Sequence, residues 1–221
     1  MTAQAGSVSF PSVSPLAGGS RDALRREVRQ RRRSIPLRER ATASKQVKNI
    51  ADRHLLFRPS MRVAVYLAYG HEASCDSLIE LAHARGCTVY VPRVVSYRYR
   101  RMVFVPHQLN AKLTANKYGI AEPAKQSITS IPIRRLDLVV LPVVAVDQQG
   151  YRLGSGAGFY DRALHHLRQG RCWRRPKLLA LAYDVQCIER LPSHRWDVPV
   201  DAILTEKQLY RIPTSQDENL T

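Results

Sequence analysis

Apolar positions along this chain fall at two spacings, and their alternation predicts the elements. Arg21 to Arg33 carries apolar side chains only at Ala23, Leu24 and Val28, a thin helical stripe with arginine filling most of the remainder. Ser20 is placed to cap that helix, with Ala23 rather than Glu at the third helical position, so the capping box is half formed. Ser34-Ile35-Pro36 breaks it and opens a second helix, with Pro36 in the first turn, running to about His54. Met61 to Leu67 then reads as a buried strand, Ser74 to Arg85 as a helix through Leu78, Ile79, Leu81 and Ala82, and Cys87 to Val91 as a strand ended by Pro92. Strand, helix, strand predicts a parallel pair joined by a crossover.

The second half repeats the alternation without repeating any sequence. Met102 to Val105 is a short strand, and Tyr118 to Pro123 a loop with a tyrosine and a carboxylate. Leu136 to Val146 is the central strand, with Pro142 marking an end or bulge inside it. Phe159 to Leu167 is amphipathic, and its helix closes near Gly170. A basic loop, Arg171 to Lys177, precedes a strand at Leu178 to Tyr183, a turn at Asp184 to Arg190, and a last strand at Val200 to Leu204.

Between the central strand and its helix lies the stretch that concentrates the chemistry: Gly150-Tyr151-Arg152-Leu153-Gly154-Ser155-Gly156-Ala157-Gly158-Phe159-Tyr160-Asp161-Arg162. Alternate glycines admit positive φ and close backbone approach. Loop N–H groups ahead of a helix suit a phosphate-like anion. The spacing is G-x-G-x-G, neither the dinucleotide fingerprint nor the P-loop pattern. Asp161 and Asp197 each follow a candidate ligand loop, where each serves equally as a helix cap or as a metal ligand; together they suit a magnesium ion. Glu72 stands at the carboxyl end of the first strand, where ligands of parallel sheets sit, although a loop glutamate is also an ordinary surface charge.

Composition narrows the classes. The 221 residues suit one domain, with an apolar fraction of 44% and no run near the roughly 18 residues that span a membrane. The net charge of +17 is mostly arginine, concentrated in Arg21 to Arg40. That excess fits polyanionic small molecules; a nucleic-acid partner is the alternative, and the interleaved aromatics of single-strand binders are missing. Cys75, Cys87, Cys172 and Cys187 form no C-x-x-C pair and read as free thiols. The histidines His54, His71, His83, His107 and His194 lack metal-ligand spacing, and no serine-histidine-aspartate pattern surrounds Ser155. Residues 1–20, without Lys or Arg, read as a disordered tail, residues 21–213 as the domain, and residues 214–221 as a frayed end. A cytoplasmic monomer without a membrane segment is the expectation.

The chain resembles the 5-formyltetrahydrofolate cyclo-ligase family from Arg21 to about Glu206. The resemblance rests on Arg152 to Arg162, supported in order by Leu24-Arg25, Glu72, Val91-Pro92-Arg93, Tyr118 to Pro123, Leu181 to Gln186, and Asp197 to Asp201. It implies an α/β fold of three layers, α/β/α, with a mainly parallel sheet similar to ribose-5-phosphate isomerase and CoA-transferase domains. It implies ATP- and Mg²⁺-dependent conversion of 5-formyltetrahydrofolate to 5,10-methenyltetrahydrofolate, through phosphorylation of the formyl oxygen. By motif position, Arg21, Leu24, Arg25, Arg152, Leu153, Gly154, Ser155, Gly156, Ala157, Gly158, Phe159 and Tyr160 would contact ATP. Leu67, Glu72 and Ser155 to Phe159 would contact the folate, Asp161 and Asp197 would hold Mg²⁺, and Arg152 and Asp161 would be catalytic. Ala157 departs from the family's usual Gly or Lys, and Phe159 from its usual Tyr. A sugar-phosphate isomerase or CoA-transferase-like enzyme on the same fold is the remaining alternative.

Overall fold

The computed structural model describes residues 20–109, 112–123, 129–165, 176–194 and 197–213. In chain order the helices are α1 (Arg21–Arg33), α2 (Leu37–Arg53), α3 (Asp76–Ala84) and α4 (Phe159–Leu164). The strands are β1 (Arg62–Ala64), β2 (Thr88–Ser96), β3 (Arg101–Pro106), β4 (Leu113–Ala115), β5 (Ala121–Pro123), β6 (Leu138–Pro142), β7 (Ala145–Asp147), β8 (Arg152–Leu153), β9 (Lys177–Leu181), β10 (Cys187–Ile188), β11 (Ala202–Leu204) and β12 (Leu209–Arg211).

The main sheet has seven strands in the order β12-β11-β9-β6-β1-β2-β3. Its five inner strands are parallel, and β12 and β3 close the two edges antiparallel. Both faces are covered, which is why its strands read as continuous apolar runs rather than alternating ones. On one face Val63, Val89, Leu138, Val140, Leu179 and Leu204 pack with Val47 and Ile50 of α2 and Leu78 and Ile79 of α3. On the other face Ala64, Tyr90, Val139, Leu141, Leu178 and Ile203 pack with Leu164 of α4. The predicted three-layer α/β architecture is thus present, with β1-α3-β2 as the predicted parallel unit.

Three expectations change. The run from Leu136 to Val146 is two strands in two sheets: β6 ends at Pro142, and β7 joins β8 and β10 in a separate three-stranded sheet. Pro142 has no N–H to continue a ladder, so the chain leaves the main sheet there. Conversely, Pro92 does not end its strand. Tyr90 accepts a hydrogen bond from Val65 N–H on the β1 side (2.9 Å), and Pro92, two residues on, faces that same side. Pairing with β1 therefore stops, while β2 continues against β3 through Arg93↔Val103. Tyr118 to Pro123 is not only loop: β5 pairs with β4 as a hairpin. The expected tails 1–20 and 214–221, Cys172, Gly170 and most of the basic loop after it lie outside the described residues, apart from Ser20 and the end of that loop at Pro176-Lys177. Cys75, Cys87 and Cys187 are buried free thiols, as expected.

Ser20 caps α1 through Oγ, which accepts from Ala23 N–H at 3.2 Å. The apolar stripe of α1 is narrow but fully used: Leu24 and Val28 bury against Val144, Ala145, Leu153, Ile188 and Leu191 of the small sheet and its flank. Helical periodicity then sets Arg21, Arg25 and Arg29 in one row beside that stripe.

Candidate functional site

The small sheet exists to present one hairpin. Asp147, fully buried, sits at its base. Its Oδ1 accepts from the N–H groups of Gln149 (3.0 Å) and Tyr151 (2.8 Å), and its Oδ2 from Leu191 N–H (2.9 Å). Burial raises the Asp147 pKa, and those three N–H bonds oppose the rise. The turn needs Gly150: φ is +80°, and a Cβ there would lie 2.7 Å from the Val200 carbonyl. The hairpin delivers Arg152, whose side chain is only 5% exposed. Its Nη1 donates to Val198 O at 2.5 Å and its Nη2 to Asp161 Oδ1 at 2.7 Å. Burial lowers the Arg152 pKa, and Asp161 and then Asp197 pull it back up, so both carboxylates act on this one guanidinium.

After Leu153 the chain becomes the glycine loop. Gly156 and Gly158 hold φ of +102° and +72°, which glycine alone adopts without strain. Gly154 does not need it, and Ala157 keeps an ordinary negative φ, so alanine is not strained in this loop. Two arginines of the α1 row fasten the loop. Arg25 Nε donates to Gly154 O and Arg29 Nη2 to Ser155 O, each at 3.0 Å. Arg21 reaches Asp197 Oδ2 at 3.4 Å, and that oxygen also accepts from His194 N–H at 2.9 Å. The row is therefore aimed at the loop rather than at solvent.

The loop forms one wall of a cavity of about 360 Å³. Ser155 to Asp161 supply that wall; Tyr66, Leu67, Tyr69 and Glu72 another; Pro92, Val94 and Met102 the floor of β2 and β3; and Asn116, Tyr118 and Glu122 the β4–β5 hairpin. Tyr118 and Phe159 of that lining form an aromatic corner with Tyr97: the Tyr97 and Tyr118 rings meet edge to face at 5.3 Å, and each meets Phe159 at 6.3 Å. Glu72 Oε2 accepts from Tyr69 N–H at 3.1 Å. Burial raises the Glu72 pKa against that bond and against Arg32 and Arg29. Glu122 Oε1 accepts from Val94 N–H (3.1 Å) and Asn116 Nδ2 (2.6 Å), which ties the hairpin to β2.

Of the residues singled out in the sequence, Leu67, Glu72, Arg152, Gly154 to Tyr160 and Asp161 all line this cavity. Arg25 holds the loop from behind, and Arg21 and Asp197 pair at its flank. Leu24 and Leu153 are core side chains, 8% and 0% exposed, so only their backbones can reach a ligand. Tyr66, Tyr97, Asn116, Arg29 and Asp147 have roles that the sequence reading does not assign; Arg29 follows Arg21 and Arg25 at four-residue spacing, a signal that could have found it. Among the described residues no group of three or more His, Cys, Asp or Glu side chains is arranged to hold a metal.

A cavity of mixed aromatic and carboxylate character, walled by a glycine loop under convergent arginines, can seat a flat heteroaromatic molecule against a phosphate donor. Comparison with known proteins agrees. Residues 17–206 match the model of the 5-formyltetrahydrofolate cyclo-ligase family. The 5-formyltetrahydrofolate cyclo-ligase of Escherichia coli (strain K12) is 31% identical over 188 residues, covering 83% of this chain and 98% of that one. The Mus musculus protein of the same name is 27% identical, covering 83% and 92%. Among solved structures, the Aquifex aeolicus 5,10-methenyltetrahydrofolate synthetase superposes with a TM-score of 0.74 at 28% identity, covering 88% of this chain and 94% of that one.

Proposed function

We infer from one premise, that this chain belongs to the 5-formyltetrahydrofolate cyclo-ligase family, that it converts 5-formyltetrahydrofolate and ATP to 5,10-methenyltetrahydrofolate, ADP and phosphate. The formyl oxygen attacks the γ-phosphorus, and the bond to ADP breaks. N10 then bonds to the formyl carbon and loses its proton, and the C–O bond breaks, releasing phosphate with the formyl oxygen. Neither step needs a covalent enzyme intermediate; both need positioning and charge stabilisation. The observation that carries this reading is the glycine loop, one face of which walls the cavity while α1 arginines grip its carbonyls.

The residues divide as follows. Leu67, Glu72, Tyr118 and Phe159 take the folate, its ring against the aromatic edges and its polar atoms towards Glu72, with Tyr97 packed on Tyr118. The loop backbone from Gly154 to Tyr160, with Arg21, Arg25 and Arg152, takes ATP. Arg152 is pre-oriented by Val198 O and Asp161, so it meets the developing charge without reorganising.

Mg²⁺ characteristically binds through one or two carboxylates together with nucleotide phosphates and water. Asp161 and Asp197 fit that demand. Each commits one oxygen to the bonds described above, Oδ1 and Oδ2 respectively, and both act on Arg152. With only two carboxylates, the pair suits an ion that arrives with the nucleotide. Bound there it would neutralise phosphate charge. Among the described residues no helix is long and apolar enough to cross a membrane. A cytoplasmic location accords with a soluble folate substrate. The test is coupling: phosphate release from ATP should require 5-formyltetrahydrofolate and match product one to one. Folate-independent hydrolysis, or product without ATP consumption, would contradict the reading.

A further inference from the structure

Arg100 is an arginine at the glycine loop that the residue assignments above leave unused. It lies in the turn between β2 and β3, and its backbone is left-handed, φ +49°, although it is not glycine. Only Leu55 and Ser60 share that conformation among the described non-glycine residues. An outlier of this kind persists where its surroundings fix it, and such positions concentrate at ligand sites. Here the surroundings are visible. Arg100 N–H donates to Tyr97 O at 3.3 Å, Tyr99 N–H donates to Ser96 Oγ at 3.2 Å, and the Tyr97 ring is held against Tyr118 and Phe159. The turn is thus pinned to the residue that follows the loop.

The pinned backbone throws the side chain onto the loop. Arg100 Nη1 lies 3.2 Å from where a Cβ on Gly158 would be, and its Cδ 3.7 Å away. Gly158 is therefore required twice, by its own φ and by this guanidinium. The other arginines that reach the loop are occupied: Arg152 by Val198 and Asp161, Arg25 by Gly154 O and Asp22, Arg29 by Ser155 O. The Arg100 guanidinium makes no hydrogen bond or ion pair with any described residue. Its outer side opens on a cleft of about 450 Å³ that also carries Arg101, Arg134 and Arg162 and has no Asp or Glu in its described lining. The loop's own side chains, Ser155 and Ala157, bring no charge.

We propose that Arg100 is a phosphate-binding residue of this enzyme, supplying the cation at the Gly158 end of the loop that the loop's own side chains lack. The proposal rests on the cyclo-ligase reading and assigns to the nucleotide the anion that Arg100 meets. Phosphate oxygens suit a guanidinium with two donors to offer.

Arg100→Gly tests it, because glycine accepts the left-handed turn better than arginine does. The variant should melt at or above the wild-type temperature, while the KM for ATP and the equilibrium Kd for ATP both rise, roughly ten- to a hundredfold, the loss expected for one charge-assisted contact. Arg100→Lys, which keeps the charge but one donor head, should fall between. Unchanged ATP affinity in Arg100→Gly would overturn the proposal, as would equal losses in the two variants. A rise confined to the KM for 5-formyltetrahydrofolate would also overturn it, transferring the contact to a folate carboxylate. In each of those cases a wild-type enzyme that forms product with ATP leaves the reaction itself standing; a wild type without that activity fails the reaction instead.

Discussion

Arg152→Ala separates what the site costs the fold from what it contributes to the reaction. The guanidinium has two partners. Its bond to Val198 O, 2.5 Å, joins a charged donor to a backbone acceptor, and losing it costs about 1.5–3 kcal/mol. Its pair with Asp161 adds little, since that carboxylate is 67% exposed and such pairs contribute about 0–1 kcal/mol. Removing a buried cation also relieves desolvation, the cause that lowers its pKa, so the net loss should be about 1–3 kcal/mol. At about 2–4 °C per kcal/mol for a domain of this size, the melting temperature falls by roughly 2–12 °C and the protein stays folded at 25 °C. Catalysis should suffer more. Loss of one pre-oriented donor to a developing charge costs about 10²–10³ in kcat. Arg152→Lys cannot reach Val198 and Asp161 together and should lose about tenfold or more. The assay is methenyl-folate formation at saturating ATP, alongside a thermal melt of the same samples. Wild-type kcat in Arg152→Ala, or a melt that collapses while kcat is untouched, would refute this division of labour.

Asp161→Asn should change stability by less than about 1 kcal/mol, given its exposure, yet reduce Mg²⁺-supported turnover by about a hundredfold or more; full activity would make Asp161 only a partner of Arg152. Glu72→Gln bears on pH. Burial raises the folded-state pKa above the unfolded value of 4.5, so the folded state binds the extra proton and stability falls as pH rises from there through the folded value. The variant should then be at least as stable as wild type at pH 7, converge with it in acid, and raise the KM for the folate more than the KM for ATP; an advantage that grows towards low pH would refute the sign. Gly150→Ala should cost more than about 2 kcal/mol, from a left-handed φ and a Cβ placed 2.7 Å from Val200 O, measurable by urea denaturation; a neutral result would mean the hairpin can shift.

Much of this was legible in the sequence because the relevant signals are local. Continuous apolar runs marked the inner strands, and the glycine loop announced itself by spacing, whereas spacing left the arginines of α1 equally readable as a solvated face and only the family resemblance pointed them at ATP. What escaped depends on partners distant in sequence. Pro142 marks an end or bulge inside Leu136 to Val146, but only the pairing of Val146 with Arg152 shows that the chain beyond it is a second strand in another sheet. The hairpin strand β4 is exposed at all three positions, so it leaves no apolar signature. Asp147 carries no local signal; its three N–H partners, one of them 44 residues away, are what make it build the turn that delivers Arg152. Motif position puts Leu24 among the ATP residues, whereas its side chain packs in the core beneath them.

The central claim is that this loop brings ATP to the formyl group of a reduced folate. Purified protein mixed with 5-formyltetrahydrofolate, ATP and Mg²⁺ should show the absorbance of 5,10-methenyltetrahydrofolate rising with time. It should stay flat when ATP is omitted, and flat or nearly so with Arg152→Ala. A rise that does not need ATP, or no rise with the complete mixture, would contradict the account.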